Sequence, residues 1–95
     1  MVTELATFRV RVGQEDDFYR SYLAARPYLT QATGCMSVMM YRVHEVSSTF
    51  VLCAEWNSVE DHLDRFRSSD AYVEWRRLLS PYFDGDPSVI HLVEP

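Results

Sequence analysis

The order of elements legible in this sequence predicts an α+β fold of the ferredoxin-like kind, β-α-β-β-α-β. Its four-stranded antiparallel sheet is covered by helices on one face. Three observations predict it. Apolar residues alternate at period two in four stretches, two regions between them repeat at helical spacing, and Gly, Pro or Ser clusters separate the elements. The strands also carry apolar residues on both faces. Helices of the same chain can cover only one face, so the sequence predicts a homodimer closed sheet to sheet.

Residues 2–12 alternate, with Ala6, Phe8, Val10 and Val12 on one side and Thr7, Arg9 and Arg11 on the other, and Gly13 ends the strand. Phe18, Tyr22, Ala25 and Leu29 then mark one helix face, behind an acidic first turn of Glu15, Asp16 and Asp17. Pro27 is expected to kink this helix or split off its last turn. After Gly34, residues 35–46 and 49–56 form a hairpin across the link Ser47-Ser48. In it Met36, Val38 and Met40 oppose Met39, Tyr41 and Val43, and Phe50, Leu52, Ala54 and Trp56 oppose Val51 and Cys53. Val51 and Cys53 are expected to build the dimer face, and Leu52 and Trp56 to look toward the helices. Ser58-Val-Glu-Asp61 has the form of a capping box, followed by Val59, His62, Leu63 and Phe66 on one helix face. Ser68-Ser69-Asp70 restarts a helix carrying Tyr72, Trp75, Leu78, Leu79 and Tyr82, which Pro81 closes. Asp84-Gly85-Asp86-Pro87 is a turn, and Ser88 to Val93 is the last strand.

The 95 residues make a single domain, 1–95, and a domain of this size buries only roughly 60–65% of its surface. The net charge is −5 and every cation is arginine, with no basic stripe, so no nucleic-acid partner is expected. No apolar run is long enough to span a bilayer, and the first residues lack a signal pattern, so no membrane partner and a cytoplasmic location are expected. Cys35 and Cys53 lie in apolar strand patterns and are expected to be reduced.

The segments Ala6-Thr-Phe-Arg-Val10 with Gly13, Gly34-Cys-Met-Ser-Val38, Glu55-Trp56-Asn-Ser58 and Phe66-Arg-Ser-Ser-Asp-Ala-Tyr72 fall in a telling order. In them the chain resembles the antibiotic biosynthesis monooxygenase family of dimeric α+β barrels. The resemblance implies that fold over nearly the whole chain. It leaves the reaction open, because the superfamily also holds haem-degrading enzymes, polyketide cyclases and isomerases. Members that oxidise phenolic polyketides to quinones without a cofactor use a tryptophan ending the third strand and an arginine on the late helix. Trp56 and Arg76 stand at those positions. His62 and Leu52 stand where such members place a tyrosine and an asparagine. The haem-degrading branch needs a histidine and an asparagine where this chain has Arg76 and Phe8, so haem binding is disfavoured.

Oxygenation without a cofactor lets an electron-rich phenol or enol supply the electrons. The protein then provides a base, a donor for the developing anion, and a dry pocket. His62 titrates near neutrality and is the candidate base; Arg76 and the Trp56 N–H are candidate oxyanion donors. Phe8, Leu52, Tyr72 and Trp75 are candidate wall residues for a small hydrophobic or aromatic ligand. Each also has a plainer reading: His62 as a core residue, Arg76 as a surface ion-pair partner, Trp56 as packing, Met36, Met39 and Met40 as filler. His44 and His91 lack metal-ligand spacing, so no metal is expected, and the resemblance to cofactor-free members implies no cofactor. The rival to the enzyme is a non-catalytic ligand-binding or structural dimer of the same fold.

Overall fold

The computed structural model describes all 95 residues and has the predicted architecture. Strand β1 (Val2–Arg9) leads to helix α1 (Glu15–Thr30), then to strands β2 (Cys35–Arg42) and β3 (Thr49–Trp56). A π-helical turn (Asp61–Phe66), helix α2 (Asp70–Leu79), a 3-10 turn (Ser80–Tyr82) and strand β4 (Ser88–Leu92) complete the chain. The sheet order is β2-β3-β1-β4, antiparallel throughout. Alternation in β1 and β3 sends Val2, Glu4, Ala6 and Phe8, with Phe50, Leu52, Ala54 and Trp56, under the helices. Phe18 of α1 is fully buried against Phe8 and Phe50, with ring centroids 5.9 and 4.9 Å away. Ser21 donates to the Leu78 carbonyl at 2.6 Å and ties α1 to α2.

Several elements differ from their expected form. The first strand stops at Arg9 rather than running to residue 12. Val10 is still buried, in a single bridge to Phe83, but the Arg11 N–H turns to the Tyr82 carbonyl and Val12 is left 87% exposed. Pro27 does not split α1. It lies in the helix's last turns, where the missing N–H frees only the carbonyl of the exposed Leu23, and Pro27 itself accepts from Gln31 at 3.0 Å. The hairpin arms are shorter, with a loop over 43–48 closed by the Val43 N–H on the Thr49 carbonyl. A bulge between Cys35 and Ser37 turns Met36 outward, away from the side of Val38 and Met40. The last strand ends at Leu92, with Val93 exposed.

The sharpest difference is at 59–66, expected as an ordinary α-helix. Ser58 Oγ does accept the Asp61 N–H at 3.2 Å, but the chain then widens into the π turn, and the Arg67 N–H reaches the His62 carbonyl five residues back. Its inward residues are His62 and Phe66. Short π segments are rare and cluster at functional sites. Gly34, with φ +84°, lies against the head of this turn: a Cβ there would overlap the Asp61 carboxylate. Gly34→Ala therefore combines left-handed strain with a clash. We expect a loss of about 2 kcal/mol or more in denaturant melts. Adding Asp61→Ala should recover only the steric part.

Candidate active site

Between the inner sheet face and the helices lies a cavity of about 200 Å³. The sheet contributes Glu4, Ala6, Phe8, Leu52 and Val89, and the π turn and α2 contribute His62, Phe66, Tyr72, Trp75 and Arg76. Six of the seven sequence-predicted site residues therefore meet here: Phe8, Leu52, His62, Tyr72, Trp75 and Arg76. The seventh, Trp56, is fully buried beside the cavity rather than in its wall. Its indole N–H points to Glu4, 3.0 Å from Oε1, and so is not turned toward a ligand's oxygen.

Glu4 is the residue sequence reasoning missed. It is 5% exposed, a carboxylate on the core face of β1. Period two already marked it: the series Ala6, Phe8, Val10, read two places back, reaches Glu4. Burial pushes its carboxyl above the usual range, opposed by the Trp56 hydrogen bond and the charge of Arg67. His62 packs against Trp56 with ring centroids 5.0 Å apart, and its Nε2 approaches Glu4 Oε1 at 3.4 Å. Its Nδ1 is 2.9 Å from His91 Nε2, so one of these two nitrogens donates to the other. His91 sits directly opposite Glu4 on β4. No sequence spacing links 62 to 91; only strand pairing brings them together.

Burial, with the charge of Arg67 and the neighbouring His91 ring, lowers the His62 pKa to about 4. The imidazole is therefore neutral at pH 7, and its contact with Glu4 is not an ion pair. Glu4 meets Nε2 while His91 meets Nδ1, on opposite edges of the ring. The three groups form a line rather than converging on a point as metal ligands do. Arg76 lies with its Cζ 5.5 Å from the Phe83 ring centroid, and neither it nor Arg67, also in the cavity wall, has a carboxylate within 4.0 Å. The wall thus carries the Glu4–His62 pair, two arginines and the carboxylate of Asp86. Cys35 and Cys53 are free thiols, and neither borders the cavity.

Comparison with known proteins agrees with this fold. Residues 1–78 match the model of the antibiotic biosynthesis monooxygenase family, and the chain belongs to that family. The uncharacterised protein YczJ of Bacillus subtilis (strain 168) is 31% identical over 91 residues, 96% of each chain. A crystal structure from Bordetella bronchiseptica, provisionally named an antibiotic biosynthesis monooxygenase, superposes with a TM-score of 0.95 at 33% identity. That match covers 99% of this chain and 96% of the other. SnoaB, a cofactor-independent oxygenase from Streptomyces nogalater, shares the fold with a TM-score of 0.83. At 14% identity over 98% of this chain and 91% of its own, that likeness extends to the fold alone.

The two titrations have opposite effects on stability. His62 has a folded pKa near 4, below its unfolded value of 6.5, so the unfolded chain binds more protons between these pH values. Stability from this group is complete above pH 6.5 and is lost as pH falls toward 4. Glu4, raised on folding, works the other way: it costs stability as pH rises through its elevated pKa. Thermal unfolding of His62→Phe should therefore show a flatter acid limb between pH 6.5 and 4 than the wild type.

Proposed function

We propose that this protein is a cofactor-independent monooxygenase acting on a small aromatic phenol or quinol, and that it works as a homodimer. The observation that carries the reading is the cavity, which Glu4, His62 and Arg76 border together with apolar side chains. SnoaB, of the same fold, is described as a cofactor-independent oxygenase, which supports that chemistry.

The reaction balances without a bound cofactor. A phenol with an open ring position loses its O–H proton, and the phenolate reduces oxygen. One oxygen atom enters the ring as a carbonyl and the other leaves as water, giving a quinone. The protein favours the phenolate and the oxygen adduct by holding negative charge near Arg76, beside largely apolar walls. Trp75, Tyr72, Phe8 and Leu52 hold the ring. Size narrows the class: a cavity of ~150 Å³ suffices for benzene, so about 200 Å³ holds one substituted ring rather than a fused polycycle. Oxygen-electrode assays should show consumption with single-ring phenols whose para position is open, with water rather than peroxide as the second product. Arg76→Met should lower kcat/KM about a hundredfold, as loss of an oxyanion donor does. No consumption by the wild type across a panel of such phenols would reject the reading.

The open sheet face supports the dimer. Met39, Cys53, Leu5 and Ile90 are neighbours across four strands, and together they make an apolar row, with Met39 and Ile90 each 52% exposed. Tyr41, Val51 and Leu92 extend it. Pairing two such faces covers the row on both copies. Sedimentation should give a dimer for the wild type, and Met39→Arg should shift it to monomer.

A further inference from the structure

We propose that Glu4, through its Oε2 atom, takes the substrate's proton, and that His62 and His91 are the path by which this proton leaves the cavity. The inference rests on the cavity being an acid–base site and goes beyond it in naming the accepting atom and the exit. His62 would be the obvious base, yet both its ring nitrogens are already engaged, Nε2 beside Glu4 and Nδ1 with His91. A substrate must displace one partner to reach either. Glu4 is different. Its two close contacts, the Trp56 N–H and His62 Nε2, both fall on Oε1, which leaves Oε2 without a protein partner in a residue that borders the cavity. Its raised pKa brings it closer to the range in which a carboxylate is an effective base at neutral pH.

The transfers balance. The phenolic O–H breaks and its proton joins Oε2, leaving phenolate and a neutral Glu4. The carboxyl group then turns so that the protonated oxygen takes the place of Oε1 beside His62 Nε2, and its proton passes to Nε2 as the Nδ1 proton passes to His91 Nε2, so His62 stays uncharged and only changes tautomer. His91, on the edge strand and half-buried, releases its Nδ1 proton to water. When the reduced oxygen later needs a proton, the path runs backward and restores the starting tautomers. The charged and titratable groups facing this path are Arg67 after the π turn, Cys35 on β2, Tyr72 and Arg76 on α2, and Asp86 before β4. In this scheme Glu4 is the catalytic residue, and Trp56, His62 and His91 are positioning residues.

The test uses 4-nitrophenol, a single-ring phenol whose anion is coloured and which needs no oxygen chemistry to be read. At a pH about one unit below the probe's own pKa the wild type should still bind it as the phenolate, and time-resolved difference infrared spectra should show a protonated carboxyl that appears with the phenolate and decays as the proton leaves. Glu4→Gln keeps an oxygen acceptor for the Trp56 N–H, with folding checked by circular dichroism. It should bind 4-nitrophenol un-ionised and lose the carboxyl band. His91→Gln should still form phenolate, but after a pH jump at least tenfold more slowly, and added imidazole should restore the rate. Glu4→Asp, which retains the carboxyl but shortens its reach, should ionise the probe only partly. A wild type that leaves the probe un-ionised, or a Glu4→Gln variant that ionises it normally, overturns the base assignment. An unchanged rate in His91→Gln overturns the exit path. Probe ionisation that depends on Glu4 in a protein that consumes no oxygen with phenols would sink the monooxygenase reading and leave this assignment standing.

Discussion

A carboxylate almost sealed from water on the inner face of a central strand sets terms for everything packed around it. An isolated buried charge is costly, so Glu4 needs a donor within reach and a neighbour that does not oppose it. The Trp56 N–H is the donor, and this fixes the indole at the end of β3. Once the indole is fixed, the ring of His62 has one flat surface to pack on and one edge turned to Glu4. An ordinary helix from Ser58 would carry its residues past this position at a tighter pitch; the π turn widens the chain where His62 and Phe66 face inward. Gly34 leaves room for the head of that turn. The unusual backbone is thus explained by the same contact that explains the buried charge.

The inner face has two ends with different chemistry. One end is aromatic, where Phe18 meets Phe8, Phe50 and Tyr82 and the sheet is closed to water. The other is polar, where Glu4, Trp56, His62 and His91 share hydrogen bonds and ring contacts. Ala6 lies on β1 between them. Its small side chain, flanked by Glu4 and Phe8, leaves unfilled the space that a larger residue would occupy, and the cavity opens there with Leu52 beside it. Arg76 reaches the same space from α2 and packs on Phe83, so its charge meets an aromatic face rather than a carboxylate.

Much of this was legible in the chain and part was not, for physical reasons. Period-two alternation is local, so the strands, their faces and the inward set Phe50, Leu52, Ala54 and Trp56 followed from it directly. The gathering of His62, Tyr72 and Trp75 near one wall was expected from their helix faces, and that of Arg76 from the family resemblance. The π turn was hidden because Val59, His62, Leu63 and Phe66 fit an ordinary helical period equally well. The end of β1 was hidden because the Arg11 N–H turns to Tyr82, a residue distant in the chain. His91 was passed over for lack of spacing to another histidine, although its partner is set by strand pairing rather than by spacing. Glu4 is the instructive case: its place in the alternation was visible, but a charged residue at the start of a strand reads as solvent-facing until its donor is known.

The sheet also links the site to its opposite face. In β4, Val89 and His91 point under the helices while Ile90 and Leu92 point outward. This strand is an edge, paired to β1 alone from Thr3–Leu92 to Thr7–Ser88. Its position therefore depends on one ladder and on whatever rests against its two faces. On the inner side that contact includes the His62–His91 hydrogen bond; on the outer side it is the apolar row that a second copy would cover. A partner seated on Ile90 and Leu92 would restrain the strand that carries His91, and so the distance to His62. Under the proposed dimer and proton path, the alternation that makes the sheet apolar on both sides would couple the packing of the outer face to the cavity. Each face would then stabilise the strand geometry that the other needs.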